Sequence, residues 1–116
     1  MTTLQELFNK AYLGVVGQGG FARSPYGGGY YTLGEKHCAV GWLLTKEQQQ
    51  HLIDLDLNSK RFEWVNRELN VVPVEHEHFV HAMQTIHDVC ERMDEFIDRM
   101  KNLAYDNHLT VPEMPA

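Results

Sequence analysis

The sequence predicts a mainly helical domain of the α+β class, a bundle of four to five helices with one small β-hairpin near the N-terminus. Apolar residues recur at three-and-four spacing over most of the chain, which is typical of amphipathic helices. Most of the nine glycines fall between residues 17 and 34, where they interrupt this pattern. A chain of 116 residues can bury one core without a disulfide or metal, so we expect a single domain over residues 1–116.

The first predicted helix covers residues 3–16. Gln5, Glu6, Asn9 and Lys10 lie opposite its apolar stripe. The following "GVVGQGG" supplies the glycines that helix ends use. The apolar stripe consists of Leu4, Leu7, Phe8, Ala11, Tyr12 and Val15.

The glycine-rich segment of about residues 21–37 predicts the hairpin. Aromatic and β-branched residues flank a glycine cluster at 27–29. This pattern indicates that Phe21–Tyr26 pairs with Tyr30–Leu33 around a flexible tip.

The apolar run Cys38–Leu44 predicts the start of a helix. We expect its apolar side chains to anchor the hairpin against the core. Thr45 and Gln48 then have the spacing of a capping box, so we expect a new helix from Lys46.

A further helix follows, with Asn58 or Ser59 as its cap. It ends in a break centred on Pro73. Its apolar positions are Phe62, Val65 and Leu69.

A long helical segment is predicted over about residues 75–106. Whether it breaks between Asp88 and Glu91 stays open, and the tail 110–116 is expected to fray. Its apolar seam alternates spacings of four and three through Phe79, Met83, Ile86, Cys90, Met93, Ile97, Met100 and Ala104.

Charge and composition narrow the classes of partner. The net charge of −6 repels phosphate backbones and anionic membranes, so direct nucleic-acid and membrane binding are disfavoured. The polar N-terminus resembles no secretory signal, and the two cysteines are expected to be reduced thiols in a cytoplasm.

Cys38 raises the question of thiol chemistry. A helix starting there would place its sulfur at the positive end of the helix dipole, beside Lys36 and His37, which favours the thiolate. His87 would be the base, but its neighbour Asp88 points about 100° away on a helix and is not expected to orient it. The apolar run after Cys38 favours a buried structural cysteine instead.

Histidines cluster between His76 and His87. We interpret them as a solvated polar face, and a weak metal site at His78, His81 and Asp88 is the alternative. The spacing matches no zinc motif, so no cofactor is expected.

A surface for a protein partner is the remaining candidate site. Aromatic residues in the glycine-rich segment and carboxylates on the C-terminal helix would supply it. Its residues are Tyr26, Tyr30, Tyr31, Glu91, Glu95 and Asp98.

Five short motifs carry a resemblance to known sequences. They are Gln18-Gly19, "YYTLGEKH", "CAVGWLL" at 38–44, "MQTIHD" at 83–88 and "FIDRMKNLAYDNHL" at 96–109. In these motifs the chain resembles a family of small uncharacterised proteins of bacteria and their phages. The resemblance implies a helical architecture and a phage or mobile-element setting, but no reaction. Similar sequences often carry a further cysteine where this chain has Gly28, so a cysteine pair is not required here.

We therefore expect a small acidic cytoplasmic protein, phage- or mobile-element-encoded, that binds and modulates a host or phage protein, as an inhibitor does. A homodimer through the apolar seam stays open. The alternatives are a hydrolase or transferase that uses Cys38 with His87, and a weak metal-binding protein through the histidine cluster.

Overall fold

The computed structural model describes residues 3–22, 32–33, 36–55, 57 and 61–113 and is mainly helical. This part of the chain contains five α-helices and two short strands. They are α1 Leu4–Gln18, β1 Thr32–Leu33, β2 Lys36–His37, α2 Lys46–Asp54, α3 Phe62–Leu69, α4 Glu77–Val89 and α5 Met93–Asp106, with 3₁₀ turns at Gly41–Leu43 and Val74–His76.

The predicted first helix is confirmed and extends to Gln18. The Thr3 side chain accepts a hydrogen bond from the Glu6 N–H at its start. Gly19 ends it with a φ of 75°, a left-handed conformation that glycine adopts without strain. The residues buried along it match the predicted stripe, except that Leu4 is half-buried: Leu7, Phe8, Ala11, Tyr12 and Val15.

The hairpin predicted between Phe21–Tyr26 and Tyr30–Leu33 is not supported. The first segment is not a strand through Ala22, and residues 23–31 lie outside the described residues. Ala22 is fully buried, and its N–H donates to a ring nitrogen of His87 instead of to a strand. The antiparallel pairing that is present joins β1 to β2, two residues each.

No α-helix begins at Cys38; the apolar run instead forms the 3₁₀ turn Gly41–Leu43. The predicted helix start at Lys46 is confirmed. The Thr45 hydroxyl accepts from the Gln48 N–H at 3.1 Å, and the Gln48 side chain accepts from the Thr45 N–H at 2.9 Å. Both bonds of the predicted capping box are therefore formed.

The start of α3 differs from the prediction. Arg61 precedes the helix and makes no side-chain cap, while Asn58 and Ser59 lie outside the described residues. The predicted break after α3 is confirmed. There, buried Asn66 accepts from the Val72 N–H at 2.9 Å and donates to the Val72 carbonyl at 3.0 Å. This amide closes the turn into α4.

The long C-terminal segment is two helices. Cys90 has extended backbone angles, so α4 ends at Val89 and α5 begins at Met93, close to the break left open between Asp88 and Glu91. The apolar seam still faces the core on both helices. Phe79, Met83, Cys90, Met100 and Ala104 are buried, and Ile86, Met93 and Ile97 are half-buried against the core.

The helices pack into a compact body with a radius of gyration of 13.2 Å. Helix α1 contacts the Gly41–Leu43 turn, α4 and α5, and α3 packs on α4.

The tail predicted to fray is held at Thr110, whose N–H and carbonyl both bond the Gln5 side chain. None of the helices in the described ranges combines the length and apolar character needed to cross a membrane.

Candidate functional site

His87 lies at the centre of a buried polar network, not on the solvated face that the sequence suggested. Its ring is fully buried on α4. Nε2 lies 3.2 Å from the Ala22 nitrogen, which donates its hydrogen, so Nε2 accepts and the ring proton is assigned to Nδ1. Nδ1 lies 2.9 Å from Oδ1 of Asp88 and donates to it.

Asp88 therefore does orient its neighbour, and the expectation that it would not is wrong. Although adjacent Cα–Cβ bonds on a helix diverge, Nδ1 is the ring nitrogen nearest the backbone, within reach of the short Asp88 side chain. The same Oδ1 accepts from the Gln84 amide at 3.0 Å, and the Gln84 oxygen accepts from the Val40 N–H at 3.2 Å. This chain of bonds ties α4 to the segment that carries Cys38.

Cys38 is fully buried beside this network. Its sulfur accepts a hydrogen bond from the Gly41 N–H at 3.3 Å. Burial raises the pKa of Cys38 to about 12, although the hydrogen bond from Gly41 opposes this rise. The nearby carboxylate of Asp88 is a smaller cause of the same rise.

The helix dipole expected to favour a Cys38 thiolate is thus missing, because no α-helix starts at this residue. Water also does not reach the sulfur, which is fully buried. The structure does bring Cys38, Gln84, His87 and Asp88 into one region. In that region Cys38 is a neutral thiol beneath the surface. This arrangement favours the structural interpretation of Cys38.

The histidines of the proposed metal site do not converge. Within the described ranges, no group of three or more His, Cys, Asp or Glu side chains is placed to hold a metal ion. His81 instead faces α3, with Nδ1 3.1 Å from a carboxylate oxygen of Glu63, while His78 is exposed. His87, which belongs to the same sequence cluster, points into the core.

The predicted acidic surface lies on and just before α5. Glu91 and Asp98 are exposed. Glu95 is half-buried and its side chain accepts a hydrogen bond from the Glu91 N–H at 3.0 Å, so it also shapes the start of the helix. The proposed aromatic part of the surface, Tyr26, Tyr30 and Tyr31, lies outside the described residues.

Tyr105 is a surface aromatic that the sequence analysis missed. It is 82% exposed and lies seven residues after Asp98, so the two side chains share one face of α5. The signal was available in the sequence, because Tyr105 follows the buried Ala104 and is not part of the apolar seam. We call Glu91, Glu95, Asp98 and Tyr105 the α5 face.

Comparisons of the chain with protein-family models, with curated proteins and with solved structures find no match. The resemblance to small bacterial and phage proteins stays a hypothesis.

Proposed function

We propose that this protein is a non-enzymatic interaction protein that binds and modulates a partner with a basic surface, and that the α5 face makes the contact. The proposal rests on the exposure of Tyr105. This large aromatic side chain is 82% exposed and lies on the same face of α5 as Asp98. Aromatic side chains are frequent energetic anchors of protein interfaces, and complementary charge accelerates and orients association.

The charge of the whole chain supports the same partner. A net charge of −6 attracts basic proteins over a distance of about one Debye length, roughly 8–10 Å in physiological salt. Glu91 and Asp98 supply two exposed carboxylates to the α5 face, and Lys101 lies one turn after Asp98 on the same side of the helix. A cytoplasmic, phage-encoded setting belongs to the proposal and derives from the family resemblance.

The test is affinity capture from a bacterial host lysate with three variants of equal expression. Glu91→Lys with Asp98→Lys reverses the charge of the α5 face without touching the Glu95 hydrogen bond. Glu47→Lys with Glu75→Lys is the matched control, because it changes the net charge equally at exposed sites outside α5. Tyr105→Ala removes the aromatic anchor.

The proposal expects a partner that wild type and the Glu47/Glu75 control both recover, and that the Glu91/Asp98 and Tyr105 variants lose. Recovery of the same partners by all four proteins would contradict the α5 face. Equal loss in both charge-reversed variants would show that net charge alone, and not this face, governs binding.

A thiol enzyme that uses Cys38, with His87 as base, is the second candidate. It is favoured by the 2.9 Å bond between Nδ1 of His87 and Asp88, the orientation that a catalytic base requires. It is opposed by the burial of Cys38 and by the Ala22 N–H that occupies Nε2 of His87. Labelling of the native thiols, described below, separates the two candidates.

A further inference from the structure

A groove of about 630 Å³ lies between α1 and the 3₁₀ turn that precedes α2. Along α1 its lining runs from Lys10 to Gln18, a separation of eight residues or about 12 Å of helix. The opposite wall carries Trp42 and Leu43, both half-buried. Its volume lies in the range of small-molecule sites and its lining is mostly apolar, while one side of the groove is open to solvent.

The aromatic wall of the groove is rigidly built. Trp42 packs on Gly14 so closely that a β-carbon at position 14 would overlap the indole ring. The indole N–H donates to the Gln18 side-chain oxygen at 3.2 Å, and the ring meets His37 edge-on, with centroids 5.0 Å apart.

Gln18 is itself fully engaged. Its oxygen also accepts from the His37 N–H at 2.9 Å, and its amide nitrogen donates to the carbonyls of His37 and Gly20 at 2.7 and 2.8 Å. Because both the oxygen and the nitrogen of the Gln18 amide are hydrogen-bonded, this side chain holds the Trp42 indole in one orientation. The groove is thus formed before any ligand arrives, which lowers the entropy cost of binding.

The charge at the groove has one sign. Among the described lining residues Lys10 is the single charged side chain, and within the described part of the chain it makes no ion pair. A positive side chain at the end of an apolar groove selects for a ligand that is anionic at one end and apolar along its length.

We infer that this groove binds a small amphiphilic carboxylate, with its carboxylate at Lys10 and its apolar portion against Trp42. The inference is independent of the α5 face, because none of the described lining residues belongs to α5.

Decanoate, decylammonium and acetate are suitable probes, because the first two differ in the charge of the head group and acetate lacks the apolar chain. The Trp64→Phe variant leaves Trp42 as the single tryptophan, so its fluorescence reports the groove. Below the concentration at which decanoate forms micelles, decanoate should change this fluorescence saturably, decylammonium should bind more weakly, and acetate should not bind.

Two substitutions in this background test the geometry. Lys10→Met should weaken decanoate about two- to fivefold, the range expected for one exposed ion pair, and Lys10→Glu should weaken it further. Lys101→Met, an exposed lysine outside the lining, is the matched control and should bind decanoate as the parent does.

Three results would each overturn the inference: no saturable change with decanoate, equal affinity for decylammonium, or unaltered decanoate binding in both Lys10 variants. Lys10 is exposed, so its variants fold and the test remains decisive.

Discussion

Nδ1 of His87 lies 2.9 Å from Oδ1 of Asp88, its neighbour in sequence, while Nε2 of the same ring accepts the N–H of Ala22. The histidine thus joins a half-exposed carboxylate to the fully buried Ala22, which is 65 residues away in sequence. Nε2 holds Ala22, which follows α1, against α4, and Nδ1 fixes the ring orientation through Asp88 on α4 itself.

Replacing His87 with Phe should lower the free energy of unfolding by about 1–3 kcal/mol, because a ring of similar size leaves the buried Ala22 N–H without an acceptor. Urea denaturation followed by circular dichroism measures this. His78→Phe, at an exposed site on the same helix, is the control and should change stability by less than about 0.5 kcal/mol. Equal stability of His87→Phe and wild type would contradict the structural role of this histidine.

Both cysteines should resist a thiol reagent at pH 8 in the native protein and react in denaturant, because Cys38 and Cys90 are fully buried. Mass spectrometry of the labelled protein identifies each site. Rapid labelling of Cys38 in the native protein would instead support the thiol-enzyme candidate.

The raised pKa of Cys38 also predicts a loss of stability in alkali. The unfolded thiol ionises near its ordinary value of 9.0, while the folded thiol keeps its proton until about pH 12. Above pH 9 the folded state therefore binds more protons, and this group lowers the free energy of unfolding by up to about 1.4 kcal/mol per pH unit. Cys38→Ala should remove this part of the slope between pH 9 and 10.5; an unchanged slope would contradict the burial of the thiol.

Replacing Gly14 with Ala should displace the Trp42 indole, because the added methyl group overlaps the ring. We expect a loss of about 1–3 kcal/mol in the free energy of unfolding, and a red shift of Trp42 fluorescence measured in the Trp64→Phe background. Asn102→Ala, an exposed position on α5, should show neither change. A Gly14→Ala protein with native stability and fluorescence would contradict the close packing of the groove wall.

Asp98→Lys and Tyr105→Ala should each leave the free energy of unfolding within about 0.5 kcal/mol of wild type, because both side chains are exposed on α5. Thermal and urea unfolding curves measure this. A large loss of stability would show that these residues support the fold, and any loss of partner binding in these variants would then have to be attributed to misfolding.

Much of the helical framework was predictable because it depends on local spacing. The apolar stripe of α1 and the capping pair Thr45 and Gln48 are determined by residues within a turn of each other. The start of α3 was not predictable in this way, since the Arg61 side chain makes no cap hydrogen bond and the helix is stabilised by its tertiary packing. The first described residues of the expected hairpin are likewise not a strand, and Ala22 is held by His87 across the core.

The polar side chains of the candidate sites also depend on tertiary contacts more than on local spacing. Nothing local distinguishes Gln18, Gln84 or His87 from surface residues. Each is anchored by backbone groups distant in sequence: Gln18 by His37, Gln84 by Val40, and His87 by Ala22. Conversely, the exposure of Tyr105 is consistent with its place outside the apolar seam.

The sequence by itself determined the mainly helical class, the buried stripe of α1, the start of α2 and the acidic character of the chain, since these follow from periodicity, capping chemistry and charge. The tertiary structure alone decided that His87 is buried, that the Cys38 thiol is shielded from water, and that α1 and Trp42 form the walls of a groove. A buried polar group must find a partner wherever the fold brings one, and sequence separation does not limit that choice.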